Sequence, residues 1–272
     1  MVQLSNGNGR GARRRAFTLI EVLVSVAIVA LLMAVLLPSL TRAHRAANAA
    51  SCLSNLRQMA MAAQGYVVAY GRYMPYSFSD PAKSTVYNWD LTLVTLPAAG
   101  SMTTVKAGLL WQGRMLAQIN QCPAYEGGDN FIGYPYSGYN YNTSHVGWCV
   151  YRPERDEKYK LTGRIVAVEE PARAEHIRHP AECALFGDGE YGGGANKYMR
   201  SPFAGRDRGV FTGRSAGTQG YRHAHKTNVA FTDGHAVSWV LRYTETEDPE
   251  DAKNITPATG FISRDNGLYD LE

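Results

Sequence analysis

The stretch Arg13-Arg14-Arg15-Ala16-Phe17-Thr18-Leu19-Ile20-Glu21 decides how this chain is read. Ahead of it, residues 1–16 form a polar, Gly-rich leader with Arg10, Arg13, Arg14 and Arg15 and no acid. Residues 17–40 are apolar apart from Glu21 and the hydroxyl side chains. About 20 helical residues at 1.5 Å each cross the roughly 30 Å hydrocarbon core, so this segment is long enough to span a membrane. The arginines precede it. The positive-inside rule then keeps the leader in the cytoplasm and sends the C-terminal bulk across. Glu21 is the anomaly: a charge inside a span costs about 2.5–3.5 kcal/mol on insertion scales, so its presence implies a partner.

Two ordinary readings of the segment leave something over. A secretory signal peptide would be removed just after its apolar core. The small-residue site Ala47-Asn48-Ala49 lies well past that core, beyond Arg42, His44 and Arg45. An uncleaved signal anchor leaves Glu21 unexplained. A third reading accounts for both. Phe17-Thr18-Leu19-Ile20-Glu21 after a basic leader, with Pro38 toward the end of the span, resembles the N-terminus of type IV pilins and type II secretion pseudopilins. The resemblance implies cleavage by a prepilin peptidase between Ala16 and Phe17, methylation of the new Phe17 amino group, and retention of the apolar segment. In that family the glutamate is the fifth mature residue and the proline the twenty-second, the places Glu21 and Pro38 occupy here. The family usually carries Gly before the cut, where this chain has Ala16.

The resemblance also implies a role for Glu21. In an assembled filament it would pair with the Phe17 amino group of a neighbouring subunit, so that both charges are offset only in register; setting register is the best-attested use of a buried polar group. The alternatives are that Glu21 bonds its own N-terminus one turn away, or snorkels to the interface.

The chain has 272 residues and a net charge of +4, all of it carried by the four leader arginines. Without residues 1–16 the basic residues fall from 28 to 24, matching the 24 acids. The positive balance is therefore a targeting feature and gives no nucleic-acid footprint. Cys52, Cys122, Cys149 and Cys183 form no CxxC pair or standard zinc spacing. On the far side of a membrane they are candidates for one or two disulfides, and sequence does not choose the pairing.

After Pro38 the sequence stays Ala-rich and helix-favouring to about Tyr70. Ala49, Leu53, Leu56, Ala60, Ala63, Val67 and Tyr70 recur at spacings of 3 and 4, one apolar stripe on a helix. Residues 41–72 are thus expected to continue the 17–40 helix in amphipathic form, with Pro38 kinking or loosening it. From residue 73 to 272 a globular domain is expected. Its candidate strands or short helices are 91–96, 107–119, 165–168, 184–186, 228–231 and 236–242. An α+β arrangement follows, the helix packed on one face of an antiparallel sheet with irregular loops.

The clearest local element there is Asn228-Val229-Ala230-Phe231-Thr232-Asp233-Gly234-His235-Ala236-Val237-Ser238-Trp239. Asp-Gly between alternating runs signals a hairpin. A three-residue loop pairs Val229 with Val237 and Phe231 with His235, gathers the apolar residues on one face, and puts Gly234 in the left-handed region. His223 precedes Asp233 by ten positions. The spacing His223, nine residues, Asp233-Gly234 resembles the C-terminal motif of planctomycete-type pilin-like proteins. Three further blocks resemble that family: Ser51-Cys52-Leu53-Ser54-Asn55-Leu56-Arg57-Gln58; Cys122-Pro123 followed by Tyr139-Asn140-Tyr141-Asn142; and His179-Pro180 leading to Phe186-Gly187-Asp188-Gly189.

His223, His225, His235, Asp233 and Asp188 invite comparison with a metal or catalytic cluster, and Asp188, His223 and Asp233 are its best ligand candidates. No HExxH, GxSxG or phosphate loop accompanies them, and a structural role is the plainer expectation. Neither a resident metal nor a cofactor is expected. Glu245, Glu247, Asp248, Glu250 and Asp251 offer oxygen ligands of the kind calcium prefers, although a solvated acidic loop is the simpler reading. Tyr125, Tyr134, Tyr136, Tyr139 and Tyr141 suit either a contact surface or a loop packed by its own rings.

The sequence therefore points to a pilin-like, non-enzymatic subunit with a single inner-membrane span, a cytoplasmic N-terminus and a periplasmic domain. It would enter a pseudopilus or cell-surface filament. Its expected partners are prepilin peptidase, other pilin subunits, the inner-membrane assembly platform and the bilayer, with no nucleic acid. The rival is a membrane-anchored periplasmic binding protein or enzyme that does not polymerise.

Overall fold

The computed structural model describes residues 18–96, 102–112, 121–128, 138–192, 194–203, 205 and 217–272. The chain divides into two compact units, residues 1–44 and 45–272. The helix α1 (Leu19–Tyr70) contributes to both and continues through Pro38. In the first unit its side chains are exposed, and from Leu19 to Leu40 they are apolar apart from Glu21, Ser25 and Ser39. Among the described residues it is the one helix with the length and mean hydropathy to cross a membrane.

The second unit is α+β, as the pattern predicts. Beyond α1, strands β1 (Ser77–Asp80), β2 (Thr85–Asn88), β3 (Leu91–Leu96) and β4 (Met102–Ala107) pair in order as an antiparallel meander. Strand β5 (Tyr139–Asn142) opens the central sheet. An outlying hairpin of β6 (Val150–Arg155) and β7 (Leu161–Glu169) follows, and then β8 (Ala184–Asp188) pairs back on β5. The short β9 (Tyr198–Met199) runs parallel to β5 on its other side. After β10 (Gln219–Gly220), β11 (Thr227–Phe231) and β12 (Ala236–Trp239) complete a five-stranded sheet ordered β12-β11-β8-β5-β9. A five-residue helix α2 (Pro249–Lys253) and β13 (Thr259–Gly260), paired with β10, close the fold.

The central sheet carries a core on each face. On one side the α1 residues Cys52, Leu56, Met59, Ala60 and Ala63 meet Tyr139, Tyr141, Leu185, Phe186, Ala230 and Ala236. On the other, Ala184, Met199, Val229 and Phe231 meet the C-terminal residues Phe261, Ile262 and Tyr269. A β-bulge between β8 and β11 sorts these faces: Ala230 pairs with Phe186 and Phe231 with Ala184, leaving Leu185 as the extra residue on the helix side.

Two sequence expectations shift. The buried face of α1 runs through Cys52, Leu56, Met59 and Ala63, while Tyr70 at the end of the expected stripe is exposed. The region 107–119 opens with the end of β4 and a short 3-10 turn at Leu109–Trp111 capped by Gln112, and residues 113–119 lie outside the described residues.

Candidate functional site

Two places carry the chemistry singled out in the sequence. The first is the start of α1. Thr18 and Glu21 form a reciprocal capping box: the Thr18 amide and hydroxyl both donate to Glu21 Oε2 at 2.8 Å, and the Glu21 amide donates back to Thr18 Oγ1 at 3.3 Å. The carboxylate thus satisfies donors that a helix N-terminus leaves open. Thr-x-x-Glu ahead of an apolar run is a readable capping signal, and the sequence reading missed it. Ala16 and Phe17 lie outside the described residues, as do Tyr134 and Tyr136.

The family model for the prokaryotic N-terminal methylation motif matches residues 11–37. This supports a type IV pilin-like protein. The motif implies processing by a prepilin peptidase and pilin-type assembly, and with α1 it is consistent with inner-membrane anchoring. The match takes in Arg13, Arg14, Arg15, Phe17 and Glu21 and stops just before Pro38. Neither a curated protein nor a solved structure matches the chain.

The second place is a buried polar cluster under the central sheet. Asp188, at the end of β8, has no solvent exposure. Its Oδ2 accepts from the Asn228 amide at 2.7 Å and pairs with His223 Nε2 at 3.1 Å, while its Oδ1 faces Arg222 Nη2 at 3.5 Å. Arg222 also pairs with Glu190 at 2.8 Å, donates to the carbonyl of Gly138, and lies over the Tyr125 ring. Cys122 Sγ lies 3.8 Å from His223 Nε2 and 2.6 Å from Cys52 Sγ. Donor atoms of Cys52, Cys122, Asp188 and His223 all lie within 4.8 Å of one another.

These groups set each other's charge. Burial works against the charged form of His223, but its hydrogen bonds to Asp188 and Cys122 more than offset this and push it up to about 9. Burial pushes the Asp188 carboxyl up, against the pull of Arg222 and His223. The Cys122 thiol is drawn down by its hydrogen bond with Cys52, then by His223 and Arg222.

The H-x9-DG spacing corresponds to one strand and the turns at its two ends. His223 and Lys226 exchange backbone hydrogen bonds around Ala224 and His225, both at positive φ (52° and 63°), a tight turn of type I′ character. The chain then runs through β11 to the second turn. There Val229 pairs with Val237, the Phe231 amide bonds the His235 carbonyl, and Gly234 has φ 96°, the three-residue loop expected. A Cβ at Gly234 would sit 2.9 Å from Gln64 Nε2 of α1, and Gln64 itself donates to the Thr232 carbonyl. This turn is docked on the helix.

The sequence-level cluster of three histidines and two aspartates therefore divides. His223 and Asp188 come together. Asp233 bonds the amide and ring of His235 at the other end of β11, and His225 is exposed in its turn instead of sharing a strand face with His223. Asp233 is thus not a ligand candidate alongside Asp188 and His223. The acidic segment is not uniformly solvated either. Buried Arg200 pairs with Asp251 at 3.1 Å and with Asp248 at 3.4 Å, so these two carboxylates already face a cation. Tyr139 and Tyr141 are core residues of β5 and not a contact surface. Arg222 entered no sequence reading, and its role appears only when β8 and the 222–225 turn are brought together.

Proposed function

We propose that this protein is a pilin-like structural subunit of a type II secretion pseudopilus or a type IV pilus-like filament. Prepilin peptidase cuts it between Ala16 and Phe17 and methylates the Phe17 amino group. Until assembly, residues 17–40 hold it in the inner membrane with the globular unit in the periplasm. In the filament, Glu21 exchanges part of its capping role for the Phe17 amine of a neighbouring subunit. The spacing of His223 ahead of Asp233-Gly234 supports a relationship to planctomycete-type pilin-like proteins. It is a substrate of processing and not an enzyme.

The observation that carries this reading is the methylation-motif match at residues 11–37, which runs into α1, a helix whose first half exposes its apolar side chains. The rival, an anchored periplasmic binding protein or enzyme that never polymerises, draws support from Glu21, whose carboxylate is satisfied within its own chain. Where the mature chain begins separates the two. A methylated Phe17 at the N-terminus supports the subunit reading, and an intact leader contradicts it.

A further inference from the structure

We propose that Cys52 and Cys122 are joined by a disulfide in the mature protein, clipping α1 to the loop that precedes β5. The inference rests on the extracytoplasmic placement of the globular unit and is independent of filament assembly. All four cysteines are buried thiols in the structure, and their surroundings differ. Cys149 Sγ faces the Ser77 carbonyl at 3.3 Å and Cys183 Sγ faces the Tyr269 carbonyl at 3.8 Å. Cys52 and Cys122 face each other at 2.6 Å. Only one of the three complete pairings of four cysteines contains this bond, and the geometry favours the Cys52–Cys122 bond with Cys149 and Cys183 left as thiols against their carbonyls.

The cluster around the pair could otherwise be taken for a zinc site, with two sulfurs, an imidazole and a carboxylate. Two thiolates on a tetrahedral zinc at about 2.3 Å stand about 3.8 Å apart, whereas a disulfide is about 2.05 Å. The observed contact is nearer the second. Charge points the same way. With the sulfurs joined, two cations, Arg222 and protonated His223, stand against two carboxylates, Asp188 and Glu190. With a zinc, two thiolates and a neutral His223, the same surroundings carry a net negative charge in a buried place. Arg222 also holds one oxygen of Asp188 at 3.5 Å, competing with any metal for it.

The chemistry balances as thiol–disulfide exchange with an extracytoplasmic protein dithiol oxidant in its disulfide form. A Cys122 thiolate attacks that disulfide and releases one oxidant thiol. The Cys52 sulfur, giving its proton to water, then displaces the second. Two electrons and two protons pass to the oxidant, which leaves as a dithiol. Cys52 is fully buried and Cys122 is 1% exposed, so exchange precedes closure of the loop, and reductants reach the bond only after unfolding.

The test uses full-length protein from membranes, acid-quenched, alkylated under denaturing conditions, and digested without reductant for peptide mapping. The expected map links the Cys52 peptide to the Cys122 peptide and finds Cys149 and Cys183 alkylated. In Cys52→Ser, Cys122 is expected to become alkylated. Four alkylated cysteines in the unaltered protein overturn the proposal, as does a link from Cys52 or Cys122 to Cys149 or Cys183. Stoichiometric zinc released from native protein, with Cys52 and Cys122 reduced, also overturns it. The same map reads the N-terminal peptide, so a missing crosslink on a chain that starts at Phe17 rejects the disulfide and leaves the subunit reading standing.

Discussion

The two halves of α1 share one continuous helix and are used in opposite ways. From Leu19 to Leu40 every large apolar side chain is about half exposed or more. From Cys52 to Ala63 one face is sealed against a sheet, with Cys52, Leu56, Met59, Ala60 and Ala63 at zero exposure. Helix propensity is met in both halves, and burial within the chain only in the second. An apolar helix face left open at this length calls for a solvent of its own, either lipid or other copies of the same segment. The polar groups divide in the same way. Among the described residues Glu21 in the first half bonds Thr18, one turn away, whereas Asp188 in the globular unit draws on β11, Arg222 and His223 at once.

If the globular half is held by its internal network, removing one member should damage it and leave the first half alone. Arg222→Met leaves Asp188 and Glu190 short of a buried cation, and breaking such a pair costs about 3–5 kcal/mol. Chemical denaturation should report that loss, while membrane insertion of the full chain is unchanged. A loss below about 1 kcal/mol would mean that the cluster is incidental to stability.

The converse change acts on the first half. Glu21→Ala should lower incorporation into sheared filaments at least about tenfold, equivalent to roughly 1.4 kcal/mol of subunit affinity. The unfolding midpoint of the globular unit should stay where it was. Unaltered incorporation would reduce Glu21 to a helix cap.

The smallest effect is a pH dependence confined to the globular half. His223 is raised in the folded state to about 9 from an ordinary value near 6.5. A raised histidine binds its proton more tightly when folded, so its stabilisation is fully present below about pH 6.5 and is lost as pH rises through about 9. With Cys122 locked in a disulfide the lift rests on Asp188 alone, and the upper edge of this window falls. Melting curves across that range should slope downward in the unaltered protein and flatten in His223→Gln. An equal slope in both would assign the dependence to other groups.

Much of this was legible from sequence where a local pattern sufficed. The end of α1 at Tyr70 and the Phe231–His235 loop, with Gly234 at positive φ, follow from periodicity and turn chemistry. Strand β5 was harder. Tyr139-Asn140-Tyr141-Asn142 is buried at all four positions, because Asn140 donates to the Thr218 carbonyl and Asn142 to those of Ala184 and Tyr269, so no polar-out alternation marks it. Strand β6 hid behind Pro153, tolerated because its hairpin has only two strands. The cluster was legible only in pieces. Cys52, Cys122, Asp188 and His223 each fall in a different one of the sequence blocks with family resemblance, and no spacing links residues so far apart. The fold brings one residue from each block to a single point.

Processing between Ala16 and Phe17 is the decisive event, and its most direct test is mass analysis of the N-terminal peptide of the mature, membrane-extracted chain. The expected chain begins at Phe17 with a methyl group on its α-amine. An intact Met1, or a start near Ala50, would contradict it.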